Sequence, residues 1–325
     1  MPETGTRSSA SGPSPIEEIS GVLAYFEGRV VPLEEATVSI ATHGLNYGTG
    51  CFEGIRAYWN EEEQELYALQ LEAHYRRFLD SCRLLRIDPG KGLDELVAIT
   101  RDLLRRGDVR TDAYIRPIAF KASQVIKVGL SHFRDAFGIY YLPMGDYLPT
   151  GGLSLQVSPW QRISDNAIPS RSKTTGSYVN ASLAADGAQA LGYHDAILLG
   201  ADGHVSEASG ANIFLVRKGR LVTPPVTADI LEGITRDLIL GIASDLGIET
   251  DVRIVDRTEL YVAEEVLLVG TGVQVAPVTS IDRRPVGDGT IGPVARSLQE
   301  TYFRAVRGRE PKYRSWLTPV HGRAT

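Results

Sequence analysis

Apolar and polar positions alternate along the chain in two rhythms, one typical of strands and the other of helices. The first apolar stretch predicts two short strands around a turn at Glu27-Gly28. Residues 72–86 carry apolar side chains at helical spacing, and so do residues 93–106, where Gly107 provides a C-terminal cap. The stretches DAYIRPIAF and AFGIYYL predict buried strands, because bulky and β-branched residues dominate them. The first half of the chain therefore mixes strands with helices.

The second half resumes the same rhythms after a Pro- and Gly-rich break at residues 144–152, which predicts a linker. A strand at residues 153–159 precedes the loop PSRSKTTGSYVN, and a helix follows near residues 178–191. Four short strands, DAILL, HVSE, NIFLV and RLVT, come next and predict a meander of tight hairpins. A further helix is predicted after Gly233, where isoleucine and leucine recur at helical spacing. The whole pattern predicts an α/β protein.

Charge and cysteine content narrow the class of protein. A formal net charge of −6 argues against nucleic acid as the main partner. The doublet Arg76-Arg77 falls in a predicted helix, and we interpret it as part of a solvated face rather than a basic patch. Cys51 and Cys82 are too few to form a disulfide framework, which indicates a reducing compartment.

The sequence also argues against a membrane protein and a metalloprotein. No apolar run approaches the roughly 18 residues needed to cross a bilayer. Residues 1–15 lack the basic start and the apolar core of a signal peptide. The six histidines never form a metal-like spacing such as H-x-x-x-H. We therefore expect a cytoplasmic protein with no membrane partner and no structural metal.

Lys173 and Glu207 are the candidate reactive side chains. Lys173 is the only amine in PSRSKTTGSYVN, a loop of small and hydroxyl-bearing residues that can approach a ligand closely. Glu207 precedes a Gly-containing turn, where a partly buried carboxylate can keep a heterocyclic nitrogen protonated. Ser170 and Lys173 also match the pattern S-x-x-K, which leaves a serine acyl-transfer enzyme as an alternative of a different class.

Two loops in the second half are suited to a phosphate group. In LEGITRD, Gly233 leads into a helix whose first amides, those of Ile234 and Thr235, point outward without intrahelical partners. Such amides and the helix dipole together favour an anion. In GTG at residues 270–272, a hydroxyl and bare backbone follow an apolar strand. Together with Lys173, these loops predict a phosphorylated cofactor that reacts with an amine.

Seven segments taken in order resemble the fold-type IV pyridoxal-phosphate enzymes, and most closely the branched-chain amino-acid aminotransferases. The segments are HGLNYGTGCFEGIRAY, AYIRP, PMGDYL, KTTGSYVNASLA, DGHVSEASGANIF, LEGITRD and VGTGVQVAPV. They span about residues 20–310, nearly the whole chain. Their shared order makes the resemblance highly specific.

The resemblance implies pyridoxal 5′-phosphate (PLP) as the cofactor and a role for each matched residue. Lys173 would form the internal Schiff base, Glu207 would pair with the pyridinium nitrogen, and Tyr178 would hydrogen-bond the phenolic oxygen of the ring. Near that cationic nitrogen, we expect the pKa of Lys173 to be lowered. The residues implied to hold the phosphate are Arg56, Gly233, Ile234, Thr235 and Thr271. Those implied to line the substrate pocket are Tyr47, Phe52, Tyr114, Arg116, Tyr147 and Gly272.

The implied activity is ping-pong transamination between the branched-chain L-amino acids (Leu, Ile, Val) and 2-oxoglutarate, whose γ-carboxylate Arg116 would bind. Two departures from the family pattern concern the substrate range. The chain has GTGVQ at residues 270–274 where the family usually shows GTAAE, and residues 121–134 fit the expected glycine-rich loop poorly. Within the fold, transaminases of D-amino acids or (R)-amines and the PLP lyase acting on aminodeoxychorismate remain alternatives.

The resemblance also implies a domain organisation and an assembly. PLP would lie between a small N-terminal α/β domain and a larger, mixed barrel-like domain. A homodimer, or a higher oligomer, would complete each site. The predicted segments are a disordered tail at 1–18, the small domain at 19–147, a linker at 148–154, the PLP-binding domain at 155–310 and a C-terminal tail at 311–325.

Overall fold

The computed structural model describes residues 19–145 and 152–322. In this part of the chain, two β-sheets are each flanked by helices, which confirms the predicted mixed α/β class. The predicted tail at 1–18 lies outside the described residues, as do Tyr147 and most of the predicted linker. Within the described ranges, no helix is both long enough and apolar enough to cross a membrane.

Strands outnumber helices in the described residues. The strands are β1 (Leu23–Phe26), β2 (Arg29–Pro32), β3 (Gly50–Phe52), β4 (Ile55–Asn60), β5 (Glu65–Leu69), β6 (Ala113–Lys121), β7 (Asp135–Pro143), β8 (Leu153–Gln161), β9 (Asp195–Leu199), β10 (Val205–Ala208), β11 (Asn212–Arg217), β12 (Arg220–Thr223), β13 (Thr250–Val252), β14 (Glu265–Gly270), β15 (Gln274–Ile281), β16 (Arg284–Pro285) and β17 (Leu317–Pro319). The α-helices are α1 (His43–Tyr47), α2 (Leu71–Leu84), α3 (Leu93–Arg106), α4 (Tyr178–Ala190), α5 (Ile234–Asp245) and α6 (Pro293–Val306). Short 3₁₀ helices lie at Leu33–Glu35, Arg257–Tyr261 and Pro311–Trp316.

The first sheet is antiparallel and has the order β17-β5-β4-β6-β7-β1-β2, with β3 alongside β6. Helix α2 packs on it because Tyr75, Phe78 and Cys82 recur at helical spacing and are buried. The helix ends before the predicted boundary, since Arg86 takes a positive φ of 54°. Helix α3 has the predicted bounds and packs against α2. Helix α2 also packs against β3.

The second sheet has the order β10-β9-β8-β15-β14-β11-β12-β13, with β16 beside β15. The hairpins β9–β10 and β11–β12 form as predicted, but the continuous meander does not, because β11 pairs with β14. Strand β11 is buried on both faces and lies inside the sheet, so it needs a second neighbour, and the equally apolar β14 supplies it. The amide of Ala208 still donates to Ala211 O at 2.8 Å, so the sheet curls and brings β10 back beside β11.

The prediction of a C-terminal tail is wrong for residues 311–322, which pack against the first sheet. A 3₁₀ helix leads into β17, which pairs with β5. Leu317 and Val320 are buried, and the Glu65 carboxylate accepts the backbone amides of three consecutive residues from Val320 onward. The stretch was missed because it is too short to show a periodic pattern.

A shared core joins the two sheets. Tyr58 and Tyr67 of the first sheet pack with Ile239 of α5 and Tyr302 of α6, which cover the second. The Tyr58 hydroxyl lies 3.1 Å from Gln274 Oε1 and 3.3 Å from Tyr302 Oη. The first sheet is built mainly from the first half of the chain and the second from the remainder. The division into domains at the predicted boundaries stays a prediction.

Candidate active site

A cavity of about 410 Å³ is lined by residues from both sheets. The predicted site residues in its wall are Phe52, Tyr114, Arg116, Lys173, Tyr178, Glu207, Gly233, Ile234, Thr235, Thr271 and Gly272. Two predicted residues, Arg56 and Tyr47, are not in the wall. Most of the candidates are therefore brought together, although they are separated by up to about two hundred positions in the sequence.

Backbone contacts with both neighbouring elements hold the Lys173 loop. The amide of Lys173 donates to Ser81 Oγ on α2 at 3.1 Å, and its carbonyl accepts the amide of Phe52 at 3.0 Å. Gly48 and Gly176 pack so closely that a Cβ on Gly48 would lie 2.8 Å from the Cα of Gly176. Small residues are needed in this loop because another segment of backbone passes beside it.

The Lys173 amine is hydrogen-bonded to the Tyr178 hydroxyl, with Nζ and Oη 2.5 Å apart. Burial would lower the pKa of Lys173, but the phenolic oxygen of Tyr178 and the carboxylate of Glu53 outweigh burial, so the pKa is raised. The charge of Arg77 also acts to lower the pKa of Lys173, but it does not offset these two groups. The expectation of a lowered pKa concerned Lys173 beside the cationic nitrogen of the cofactor, and it stays a prediction.

Glu207 lines the cavity from β10 and is buried. Its Oε1 pairs with Arg162 Nη2 at 2.9 Å, while Oε2 accepts Asn212 Nδ2 at 3.0 Å and the Leu231 amide at 3.1 Å. Burial raises the pKa of Glu207, and the opposing effects of Arg162 and the Leu231 amide do not cancel it. Sequence reasoning missed Arg162, which only the pairing of β8 with β9 brings beside β10.

Arg77 lines the cavity from α2, so its assignment to a solvated face is wrong. Arg76 is exposed, but the Arg77 side chain is only 12% exposed. Its Nε and Nη2 donate to the two carboxylate oxygens of Glu53 at 2.7 and 2.9 Å, and Nη1 donates to Glu232 O at 2.6 Å. His74, one turn earlier, contacts the same carboxylate, and this H-x-x-R spacing is the sequence signal that could have identified the pair.

Arg56 does not line the cavity and cannot take the predicted phosphate role from its position. It is 1% exposed, and its guanidinium donates to backbone carbonyls. These belong to Met144, Gly145, Thr271 and Gly272, at 2.7–3.3 Å. Arg56 therefore ties two loops together behind the wall, because β4 directs its side chain into their carbonyl groups.

The end of the cavity near Arg77 favours an anion. Helix α5 begins at Ile234, and its N-cap Gly233 has no side chain to cap the first amides. Thr235 is buried in the same wall, and Thr271 lines it from the loop after β14. The dipole of α5 and the Arg77 guanidinium thus present positive potential to one place. We name this region, formed by Arg77, Gly233–Thr235 and Thr271, the anion end.

Aromatic rings and Arg116 form another part of the wall. The guanidinium carbon of Arg116 lies 4.4 Å from the centroid of the Phe52 ring, and Nη2 donates to Tyr114 Oη at 3.1 Å. The Tyr114 hydroxyl is accommodated because Gly54 has no side chain: a Cβ there would lie 1.8 Å from Oη. Tyr47 is 39% exposed, and its ring lies tilted against that of His43 on α1, with the centroids 4.5 Å apart. It does not line this wall.

Ser170 does not contribute to the cavity wall. Its hydroxyl donates to Asp165 Oδ1 at 2.9 Å, and Asp165 Oδ1 also accepts the Ser170 amide at 2.8 Å. Lys173 instead contacts Tyr178. The structure therefore gives no nucleophile–base pair between Ser170 and Lys173, which removes the basis for a serine acyl-transfer enzyme.

Residues 50–281 match the family model described as amino-transferase class IV. The chain belongs to this family. A relative from Aquifex aeolicus (strain VF5), described as a probable branched-chain-amino-acid aminotransferase, is 46% identical over 308 residues, covering 94% of this chain and 99% of the relative. The branched-chain-amino-acid aminotransferase of Escherichia coli (strain K12) is 36% identical over 303 residues, covering 91% of this chain and 97% of the relative.

Solved structures agree with the class IV assignment. A branched-chain aminotransferase from Thermoproteus uzoniensis, crystallised with norvaline, superimposes with a TM-score of 0.89 at 41% identity, covering 92% of this chain and 99% of that chain. The branched-chain amino acid aminotransferase from Thermobaculum terrenum, solved in its PLP form, gives a TM-score of 0.87 at 39% identity, covering 92% and 98%. The predicted fold-type IV architecture is confirmed.

In this class IV aminotransferase, the sequence pattern located the lysine and the carboxylate in the cavity but missed the charged side chains around them. The missed residues are buried or half-buried charged side chains, namely Glu53, Arg77 and Arg162. Each pairs with a residue more than twenty positions away. The H-x-x-R spacing marks His74 and Arg77 as neighbours on α2 but does not reveal their partner Glu53, and Arg162 has no such local signal.

Proposed function

We propose that the protein is a PLP-dependent transaminase that exchanges amino groups between branched-chain L-amino acids and 2-oxoglutarate. The single observation that carries this proposal is that Lys173, Glu207 and the anion end line one cavity. Relatives from Aquifex aeolicus and Escherichia coli, at 46% and 36% identity, bear the name of that activity.

The polar groups of the cavity fit PLP. Ser172 Oγ and Arg116 Nε are buried and have no hydrogen-bond partner within the described ranges, although both residues line the wall. Buried polar groups of this kind need a polar ligand or water. The Thermobaculum terrenum structure is the PLP-bound form of an enzyme with the same fold. When bound, PLP supplies an aldehyde for the amine and a ring that withdraws electrons from the substrate.

The protein's own residues divide the work of holding PLP. The phosphate belongs at the anion end, where Arg77 replaces the sequence-based assignment to Arg56. Glu207 is the counter-charge for a protonated ring nitrogen, and Arg162 orients it. Tyr178 lies beside the Lys173 amine and is the predicted partner of the ring's phenolic oxygen.

Lys173 moves the proton at the substrate Cα. Its raised pKa keeps the amine protonated at neutral pH, so the amine must lose a proton before it acts as a base. The Tyr178 hydroxyl, 2.5 Å away, holds the amine in place for this transfer. Anchoring of the loop backbone by Ser81 and Phe52 leaves only the side chain of Lys173 to move.

The aromatic wall and Arg116 account for two substrates with different side chains. Phe52 and Tyr114 offer apolar surface to an aliphatic side chain, where each methylene contributes about 1–3 kcal/mol of discrimination. Arg116 forms no ion pair within residues 19–145 and 152–322, so its charge is available to the γ-carboxylate of 2-oxoglutarate. Backbone at Thr271 and Gly272 lines the same cavity and is the predicted neighbour of the substrate α-carboxylate.

A transamination panel tests the function. The purified protein is assayed with L-leucine, L-isoleucine and L-valine, with D-alanine, and with an (R)-amine, each against 2-oxoglutarate. We expect the L-amino acids to be the preferred donors by at least about tenfold. Preference for D-alanine or the (R)-amine would refute branched-chain specificity, and release of an α-keto acid without an acceptor would indicate a lyase. Borohydride reduction followed by peptide mapping should place the cofactor's mass on Lys173 alone.

We further propose that two copies of the chain assemble and complete each other's sites. The bridge Thr42–Gln124 and the contact from His43 Nε2 to Lys127 O at 2.8 Å join α1 to the loop near residue 127. This surface exposes large apolar side chains, namely Ile40, Leu45, Ile126 and Val128, beside the half-exposed Tyr47. Such exposure is typical of an interface. Sedimentation should give a dimer or a higher oligomer, and Ile126→Asp should shift it toward monomer.

A further inference from the structure

A buried ionic cluster lies directly behind the cavity wall. Glu53 follows β3 and is fully buried, while His74 and Arg77 lie one turn apart on α2. His74 Nδ1 is 2.8 Å from Glu53 Oε2, and Arg77 donates to both carboxylate oxygens. We name these three residues the Glu53 cluster. Of its members, only Arg77 lines the cavity.

The charges within the Glu53 cluster fix which atoms carry protons. Burial would raise the pKa of Glu53, but the charge of Arg77 and the hydrogen bond from His74 outweigh it and hold the pKa well below its usual range. Burial lowers the pKa of His74. Glu53 is therefore ionised and His74 neutral at neutral pH. Since an ionised carboxylate only accepts hydrogen bonds, His74 Nδ1 must carry the proton.

The hydrogen bonds of Arg77 leave two of its N–H donors for a ligand. A guanidinium has five N–H donors in a rigid fork. The described residues accept three of them: Glu53 takes one from Nε and one from Nη2, and Glu232 O takes one from Nη1. One N–H on Nη1 and one on Nη2 remain. Two donors on neighbouring nitrogens of one guanidinium can hold an anion through two charge-assisted hydrogen bonds.

Glu53 also sets where the Arg77 guanidinium lies. The contact with Glu232 O puts Arg77 one residue before Gly233 and the first amides of α5. Glu53 itself directly follows Phe52, whose amide holds the carbonyl of Lys173. The same short segment thus fixes both the anion end and the lysine loop.

We propose that Glu53 is a positioning residue for the phosphate group of the cofactor, holding Arg77 so that its two remaining donors meet the phosphate. His74 locks Glu53 in turn by donating to its second oxygen. This inference rests on the proposed PLP function and goes beyond it, because neither Glu53 nor His74 lines the cavity. An alternative role for Glu53, as a counter-charge that opposes the phosphate, predicts the opposite sign on substitution.

Comparison of PLP with pyridoxal, which lacks the phosphate, tests the proposal. The full chain is stripped of cofactor, and dissociation constants for both compounds are measured by titration in the wild type, Glu53→Gln and Glu65→Gln. Glu53→Gln should weaken PLP binding by about tenfold to a hundredfold, because the glutamine keeps only one acceptor oxygen for Arg77 and carries no negative charge. Its affinity for pyridoxal should stay within about twofold of the wild type. Glu65→Gln is the matched control, a buried carboxylate of the same sheet that holds backbone amides away from the cavity.

Each other outcome has a defined meaning. Unchanged or tighter PLP binding by Glu53→Gln would overturn the proposal, and so would equal losses for PLP and pyridoxal. In an Arg77→Ala background, Glu53→Gln should cause no further loss, and an additive loss would count against the proposal. A wild type with no preference for PLP over pyridoxal would instead defeat the proposed function, and this inference with it.

A second pair of variants covers the case in which Glu53→Gln does not fold. His74→Leu removes the donor to Glu53, and His74→Asn retains an N–H donor at a similar place. We expect His74→Leu to weaken PLP binding several-fold without changing pyridoxal binding, and His74→Asn to restore most of the loss. Equal PLP affinity in His74→Leu and the wild type would overturn the role of the Glu53 cluster.

Discussion

Glu53 and Glu207 are buried carboxylates that both interact with the charge of Lys173, and each is paired with an arginine of the cavity wall. Their pKa values nevertheless move in opposite directions: that of Glu53 is held well below its ordinary value, and that of Glu207 is raised. Glu53 receives two hydrogen bonds from Arg77 and one from His74. Glu207 pairs with one nitrogen of Arg162.

The difference shows that the number and charge of the donors decide whether the effect of burial on the pKa of a carboxylate is reversed. Both groups are penalised by loss of water, but only Glu53 has enough cationic contact to reverse the penalty. Glu53 is therefore a permanent charge that fixes its neighbours. Glu207, whose remaining donors are neutral amides, still gains from a further cation in the cavity.

Arg116 completes the comparison from the cationic side. Arg77 and Arg162 each pair with a buried carboxylate, whereas the Arg116 guanidinium forms no ion pair among the described residues and lies against the rings of Phe52 and Tyr114. A cavity arginine without a protein carboxylate can bind a substrate carboxylate without first breaking an ion pair. The three arginines thus differ in whether their positive charge is already paired with a protein carboxylate or is available to a ligand.

Removal of the Lys173 amine, whose charge interacts with both Glu53 and Glu207, should have the largest effect. Lys173→Ala removes the group that we assign to both cofactor attachment and proton transfer, so transamination of L-leucine should fall to background. The visible absorbance of the bound cofactor should be lost as well. Lys173→Arg is the control that keeps the positive charge, and it should be equally inactive. Full activity in Lys173→Ala would refute the assignment.

Substitution of Glu207 should have the next largest effect. Glu207→Gln keeps the shape but cannot act as a counter-charge, so kcat should fall by roughly a hundredfold or more. The cofactor should still bind, since the anion end is unchanged. Steady-state kinetics at saturating PLP measures this effect. A kcat within about twofold of the wild type would remove Glu207 from the mechanism.

The same substitution in the two carboxylates should affect folding very differently. Without cofactor at pH 7, Glu53→Gln should lower the free energy of unfolding by about 3–5 kcal/mol, because Arg77 is left buried without its partner. Glu207→Gln should lower it by about 1 kcal/mol or less, since the ionised form of Glu207 is already disfavoured by burial. Urea denaturation of both variants provides the measurement.

Lowering the pH should change the contributions of Glu53 and Glu207 to folding stability in opposite directions. The pKa of Glu53 is depressed in the folded state, so its contribution is present above its ordinary value of 4.5 and is lost as pH falls through the lower, folded value. The pKa of Glu207 is raised, so protonation adds stability below 4.5, and that stability is lost as pH rises through the folded value. Acidification should therefore shrink the gap between wild type and Glu53→Gln. A gap that widens would contradict the assigned charge of Glu53.

The smallest effect is expected for substitution of Arg116, which is not paired with a carboxylate among the described residues. Arg116→Ala should reduce kcat/KM for 2-oxoglutarate by about tenfold to a hundredfold, the contribution of a charged hydrogen bond. Turnover of the keto acid derived from leucine should change by less than about threefold, because it has no γ-carboxylate. Equal losses for the two acceptors would show that Arg116 only supports the wall.

The sequence predicted the elements that have a clear local periodicity and the site residues that lie in the family motifs. Helix α3 follows its periodicity to both ends, and Lys173, Tyr178 and Glu207 line the cavity as expected. It could not predict the pairing of β11 with β14, since many apolar strands are equally good partners. Arg77 was misassigned because α2 is amphipathic, and its polar face looks solvated until β3 and Glu232 are placed beside it.

Strand β17 has a consequence for the order in which the protein is made. Leu317 pairs with Leu69, so β5 waits for a partner that leaves the ribosome about 250 residues later. During that interval the edge of β5 has unpaired backbone groups, which can pair with another chain. The first sheet starts early but finishes after the second sheet has been synthesised. Extension or truncation near residue 317 therefore acts on the sheet that begins the chain.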